Sequence, residues 1–280
     1  STPGPTGLAA LLAAKMLGLR TSGIYHTDFP QYVRILTDDN FLETLTWNFM
    51  HWFYRQFDLV YVNSEHYRQC WVERGIKAEK IHILPRGLDL ELFRPERRDP
   101  KFWKTRGLED DEVGILYVGR VSKEKDLDVL ADAYQQLREE NLRVRLLIVG
   151  DGPYRDHLTE TLPTAIFTGV LSGAELATAY ASADLFAFPS TTDTFGNEIL
   201  EAQASALPCV VSDEGGPCEL VSEGVTGRIT KALDRNDFTA ALRELSTDPA
   251  LRSRLSRAAH DTIKDRSWPS AFRQFWSGNK

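Results

Sequence analysis

The chain has 280 residues, a length that admits about two domains, and its 42% hydrophobic and 26% charged residues are ordinary globular proportions. Its formal net charge of -7 at pH 7 argues against a nucleic-acid partner and against attraction to an acidic membrane surface. No apolar run approaches the roughly 18 residues of a membrane span, and the three cysteines Cys70, Cys209 and Cys218 show neither metal-ligand spacing nor a disulfide framework, which points to a reducing cytoplasm.

In chain order, residues 6–17 read as a helix opened by a Pro/Gly turn, and 19–25 as a strand that leads into His26, Thr27, Asp28, Phe29 and Pro30. Residues 39–57 are dense in aromatics (Phe41, Trp47, Phe49, Trp52, Phe53, Tyr54, Phe57) and read as a buried helix; an acceptor- or lipid-facing groove is the alternative. Strands follow at 59–62 and 81–84. That makes three strands before residue 95, where a complete Rossmann-like half has about six. Residues 1–95 are therefore expected to be the second half of a domain. The opening Ser-Thr-Pro-Gly-Pro, without Met, agrees with a fragment.

Residues 96–112 are charged and Pro-punctuated at their start, as in an interdomain linker. Across 113–280 the alternation becomes regular, with strands expected at 114–118, 144–149, 165–167, 184–188, 209–211 and 228–230 and helices between them. In the first of these helices Leu127, Leu130, Ala131, Tyr134 and Leu137 form one apolar stripe. This is the pattern of a doubly wound parallel sheet.

The most informative stretch runs from Asp193 to Glu201, between strands 184–188 and 209–211. Asn197 can cap a helix whose apolar face uses Ile199, Ala202 and Ala206, and Pro208 ends it. Asp193 is then expected in a loop beyond the carboxyl end of a strand, with Glu201 near the start of the next helix, where open α/β sheets bind ligands. Two carboxylates there, with Gly196 and helix N–H groups between them, suit a ligand bearing hydroxyls and phosphate.

A second cluster follows strand 114–118. Gly119 permits close backbone approach, and the planar fork of Arg120 fits two phosphate oxygens. Lys125 is expected at a helix start, where the dipole disfavours a cation unless an anion sits nearby; a solvated surface lysine is the alternative. Gly150 and the turn before Val170 are lone glycine turns after strands and carry little by themselves. His26 at a strand end reads as structural on its own. Asp126 and Asp128 offer an Asp-x-Asp pair, but their place at a helix start suggests capping. Glu198 is expected to face away from Glu201, as surface.

Asp193-x7-Glu201, with Phe195-Gly196 inside it and Ala202 after it, resembles the Glu-x7-Glu signature of the retaining GT-B glycosyltransferases, group 1 or family 4. Asp stands here for the usual first Glu, one methylene shorter. The resemblance implies an α/β fold of GT-B type, two Rossmann-like domains facing a cleft, the N-terminal one incomplete in this sequence. It implies transfer of a hexose from a UDP- or GDP-sugar to a hydroxyl acceptor, a glycolipid or an oligosaccharide, with no cofactor and no obligatory metal. Gly119, Arg120 and Lys125, with Glu124, match the family's diphosphate-binding turn, where the two cations stabilise the departing nucleoside diphosphate.

By the same resemblance Gly150 and Val170 border the base and ribose, and Glu201 accepts from both ribose hydroxyls. Asp193 holds a hydroxyl of the transferred sugar, and the amides around Phe195, Gly196 and Asn197 meet the sugar or the phosphates. His26 positions the sugar from the first domain, its backbone carbonyl toward the anomeric carbon. Arg86, Gly87, Asp89 and Phe93 match a structural turn. The 26–32 loop looks like those of bacterial lipid glycosyltransferases, which leans toward glycolipid synthesis; the expected location is the cytoplasm, with peripheral contact at the inner face of a membrane. The family's Gly-rich loop of the first βα turn is absent from these residues. The alternatives are thus a nucleotide-sugar-binding module without turnover, or an epimerase of the same fold; the pairing of Asp193-x7-Glu201 with Gly119, Arg120 and Lys125 argues against the latter.

Overall fold

The structure, a computed structural model, describes residues 3–278. It divides into two compact units: one runs up to Pro85 and takes in Thr192–Phe195, the other comprises Arg86–Thr191 and the chain from Gly196 on.

The smaller unit contains α1 (Pro5–Met16), β1 (Ser22–Tyr25), α2 (Phe29–Thr37), α3 (Asn40–Arg55), β2 (Leu59–Val62), α4 (Glu65–Glu73) and β3 (Ile81–Ile83). Its strands form one parallel sheet in the order β1-β2-β3. β1 begins at Ser22, later than the apolar pattern suggests; the Thr21 carbonyl still accepts from the Leu59 N–H at 3.2 Å, but its own N–H and hydroxyl donate to the Asp58 carboxylate at 2.7 and 3.0 Å. α3 starts where Asp39 caps it, accepting from the N–H groups of Phe41 and Leu42 at 2.7 and 3.3 Å. Met50, Phe53, Tyr54 and Phe57, at i, i+3, i+4 and i+7, turn inward against Tyr25, Val60, Val62, Tyr67 and Trp71. The expectation of a wholly buried helix is corrected here, for Phe41, Leu45, Phe49 and Trp52 lie on the outer face of α3 and stay exposed. The aromatic density served two faces, and composition alone does not separate them.

The larger unit holds α5 (Pro100–Lys104), β4 (Val113–Val118), α6 (Leu127–Glu139), β5 (Val144–Val149), α7 (Arg155–Thr161), β6 (Ile166–Gly169), α8 (Gly173–Ser182), β7 (Leu185–Phe188), α9 (Asn197–Ala204), β8 (Cys209–Ser212), β9 (Gly227–Thr230), α10 (Arg235–Thr247), α11 (Pro249–Ile263) and α12 (Trp268–Gly278). Its six strands are all parallel in the order β6-β5-β4-β7-β8-β9. Counted from β4, this is the 3-2-1-4-5-6 order of a Rossmann-type sheet. β7 and β8 are buried along their whole length and β4 at all but its first residue, as in a sheet covered on both faces. The α6 stripe packs inward as expected, with Leu127, Leu130, Tyr134 and Leu137 all buried.

The stretch 96–112 is less linker-like than its composition. α5 buries Phe102 and Trp103, and the Trp103 indole donates to the Ala179 carbonyl of α8 at 3.0 Å. Leu88 donates to the Arg266 carbonyl at 2.8 Å, so the segment after Arg86 already belongs to the larger unit. Charge and proline mark solvent-facing corners there, while the aromatics between them anchor the chain. Among the described residues no helix is long and apolar enough to cross a membrane.

Candidate functional site

In an open parallel sheet, the connections from two adjacent strands diverge where the strand order reverses, and a crevice opens beyond their carboxyl ends. In the larger unit that reversal lies between β4 and β7. β4 delivers Gly119 and Arg120 to this point. The Gly119 N–H donates to the Val149 carbonyl at 3.0 Å, and a Cβ added to Gly150 would lie 1.9 Å from the Gly119 carbonyl oxygen. Gly150 also has φ of 141°, outside the range most residues adopt. Only glycine lets the two turns lie this close. Gly150→Ala is expected to destabilise the fold by more than about 1 kcal/mol, checked by urea unfolding; an unchanged midpoint would mean the turns have room to separate.

The Tyr117 hydroxyl donates to the Arg120 carbonyl at 2.9 Å and fixes the backbone, while the guanidinium stays 65% exposed, 3.8 Å from Glu124. Glu124 is itself held by the Ser122 hydroxyl at 2.6 Å. Lys125 sits in a 3-10 turn, Lys123–Lys125, and is only 9% exposed. The solvated-lysine alternative is thereby overturned, because a buried lysine is rare without a specific use.

Asp126 does not cap α6. It adopts φ of 54°, and its carboxylate accepts from the N–H and hydroxyl of Thr191 at 2.9 and 2.8 Å, tying the turn after β4 to the loop after β7. Asp128 accepts from the Tyr154 hydroxyl at 2.6 Å. The Asp-x-Asp pair is thus a pair of tethers rather than a cap. No group of three or more metal-ligating side chains occurs among the described residues.

Beyond β7, Gly196 rather than Asn197 occupies the N-cap of α9; its φ of 95° favours glycine, and Asn197 is an exposed first helical residue. Glu201 lies on the second turn, half-buried. Burial pushes its carboxyl up to about 7, the negative charge of Glu198 adds to this, and the buried Tyr180 phenol beside it acts the other way. Glu198 is therefore not a bystander on the surface: at i, i+3 the two carboxylates share a helix face. Val170 stands exposed just past β6.

His26, Asp193 and Phe195 belong to the smaller unit. His26 lies exposed just past β1, its Nδ1 3.0 Å from the Thr27 hydroxyl. Its carbonyl accepts from the Thr194 hydroxyl at 3.0 Å, and the same hydroxyl accepts from the Asn63 side-chain amide at 3.1 Å. Asp193 is half-buried near Tyr67. Burial first, then Asp28, then more weakly Cys70 and Asp193, push the Tyr67 phenol well up; its hydroxyl donates to Asp28 at 3.0 Å. Asn63, Thr194, Tyr67 and Tyr180 escaped the sequence reading. Asn63 and Thr194 carry a weak signal, a polar residue at a strand end and a hydroxyl inside the motif. Tyr67 and Tyr180 carry none, being aromatics on ordinary helices.

Residues 112–248 match the family model described as glycosyl transferases group 1, and residues 1–92 the model for Glycosyltransferase Family 4. The GDP-mannose-dependent alpha-mannosyltransferase of Corynebacterium glutamicum is 33% identical over 271 residues, 96% of this chain and 63% of that protein. The protein of the same name from Mycobacterium tuberculosis is 32% identical over 96% of this chain and 68% of its own length. The sulfoquinovosyl transferase of Arabidopsis thaliana is 32% identical over 97% of this chain and 54% of its own, so the chain spans little more than half the length of some relatives it matches. The crystal structure of Anabaena HepE with UDP and glucose superposes with a TM-score of 0.80 at 21% identity, covering 97% of this chain and 74% of that one; at that identity the likeness is one of fold. With the sheet order, the two family matches and a relative covered over two thirds of its length in agreement, the chain belongs to the group 1, family 4 glycosyltransferases and has the GT-B fold.

Proposed function

We propose that this chain carries the donor site of a retaining glycosyltransferase that moves a hexose from a GDP- or UDP-sugar to a hydroxyl acceptor. The observation that supports this best is the chemistry of the segments that follow β4 and β7, the strands that flank the reversal of strand order: an exposed guanidinium and a buried ammonium after the first, and a half-buried carboxylate after the second. Arg120 and Lys125 hold the diphosphate, with Gly119 and Gly150 allowing its close approach. Glu201 accepts from the ribose hydroxyls, and Val170 meets the base. Asp193 takes a hydroxyl of the sugar, the amides of Phe195, Gly196 and Asn197 take sugar or phosphate oxygens, and the His26 carbonyl faces the anomeric carbon.

In the transfer, the bond from the anomeric carbon to the phosphate oxygen breaks and one to the acceptor oxygen forms. The acceptor proton passes to the departing phosphate, so the protein supplies charge and position rather than a nucleophile or an obligatory metal. The apolar side chains that α2 and α3 expose, Leu36 and Phe41 most of all, suit a lipid acceptor met by a cytoplasmic enzyme at the inner face of a membrane.

A second reading is a nucleotide-sugar-binding module without turnover, which would use the same nucleotide site. Calorimetric titration with GDP and with UDP tests the site common to both. Binding of one nucleotide, lost in Glu201→Ala, is expected; a folded sample that binds neither overturns the donor-site assignment. Turnover with the bound nucleotide's hexose donors then separates the two readings.

A further inference from the structure

We infer that Asn63 and Thr194 are positioning residues that lock Asp193 to the end of β1 and so set where the transferred sugar is held. The inference rests on the donor-sugar reading above.

The argument begins with proton counting. The Thr194 hydroxyl has one hydrogen, and both it and Asn63 are buried, at 8% and 3% exposure. Its oxygen lies 3.1 Å from the Asn63 amide group and 3.0 Å from the His26 carbonyl. A carbonyl can only accept, so the Thr194 proton must go to His26. Asn63 must then present its NH2, not its C=O, to the same oxygen. The donors therefore run one way, from the end of β2 through the loop to the end of β1. Turning the amide over would set two acceptors against one proton and leave a buried group unsatisfied.

The consequence falls on the neighbours of Thr194. Asp193 precedes it in the chain, and His26 supplies the carbonyl at the other end of the bond. One hydroxyl thus fixes the two groups assigned to the sugar against each other. The same bond orients the His26 carbonyl. The bonds that hold the Arg120 carbonyl and Glu124 come from Tyr117 and Ser122 rather than from Asn63 or Thr194, so nucleotide binding and sugar binding are expected to separate.

Thr194→Val keeps the shape and removes the hydroxyl, Thr194→Ser keeps the hydroxyl, and Asn63→Asp replaces the donor with an acceptor at nearly constant volume. Two measurements read them: amide hydrogen exchange over residues 192–196, and affinities for GDP, GDP-mannose, UDP and UDP-glucose. Thr194→Val and Asn63→Asp are expected to speed exchange in the loop at least tenfold. They should leave the affinity for the preferred nucleotide within twofold, and bring the affinity for its sugar conjugate down to that of the nucleotide. Thr194→Ser is expected to behave as the parent.

Loop exchange unchanged in both variants overturns the lock. Loss of the lock with the sugar increment intact, or a parent that binds nucleotide and nucleotide-sugar equally, overturns the role in sugar placement. A parent that binds none of the four ligands overturns the donor-site reading instead, and exchange alone then decides whether the lock exists. Should Thr194→Val fail to fold, Asn63→Asp carries the same test.

Discussion

Glu201→Gln is expected to stabilise the folded chain above pH 7 while removing most of its affinity for nucleotide. The carboxyl stands at about 7 in the folded protein against an ordinary 4.5, chiefly because it is buried. Below pH 4.5 both folded and unfolded forms are protonated and the residue contributes no difference. Between 4.5 and 7 the unfolded chain ionises first, so stability falls as pH rises, and above 7 the loss is complete. The gap corresponds to about 3 kcal/mol. Glutamine resembles the protonated form and escapes the loss. Urea unfolding at pH 5 and pH 8 should show a gain confined largely to the higher pH; an equal gain at both would mean that burial of charge is not its source.

Ligand binding runs the other way. Two ribose hydroxyls need an acceptor with no proton of its own, so nucleotide affinity in the parent is expected to rise about tenfold from pH 6 to pH 8, and to stay flat in Glu201→Gln. A half-buried carboxylate that lowers stability at neutral pH, beside Glu198 which lowers it further, is the kind of compromise that binding sites retain.

The second large effect is expected at the two cations. Lys125→Met and Arg120→Ala should each weaken nucleotide binding by roughly 1.5–3 kcal/mol, the worth of a hydrogen bond to a charged group. The structure separates them. Arg120 is 65% exposed, so its contribution should shrink as salt is raised. Lys125 is buried, so its contribution should persist. Lys125→Met keeps the stem and removes the charge, and unfolding curves of the variant without nucleotide check that the affinity is read on a folded protein. Titrations at low and high ionic strength, paired with unfolding curves, decide this. Unchanged affinity in both variants would remove the diphosphate from this turn.

Much of the larger unit was legible because a parallel sheet covered on both faces requires near-continuous apolar strands, and residues 113–118, 144–149 and 209–212 supply them. α2 and α4 were less visible. α2 is capped by Asp28 and ends in a left-handed Asp38, signals too short to stand out in a polar stretch. α4 buries only Tyr67 and Trp71. Asn197 looked like a cap because its side chain can be one; Gly196 took the position because the turn there needs a positive φ.

The sequence by itself determined the alternation of strands and helices and the spacing that brings Asp193 and Glu201 to the ends of the α/β pattern, because both follow from local periodicity. It also determined that Arg120 and Lys125 follow a strand's carboxyl end. Only the tertiary structure decided that Lys125 is buried, that Asp126 holds Thr191 instead of capping a helix, and that Asn63 reaches Thr194. Those outcomes depend on which side chains meet across 65 and 131 residues of sequence, and a one-dimensional pattern carries no record of such meetings.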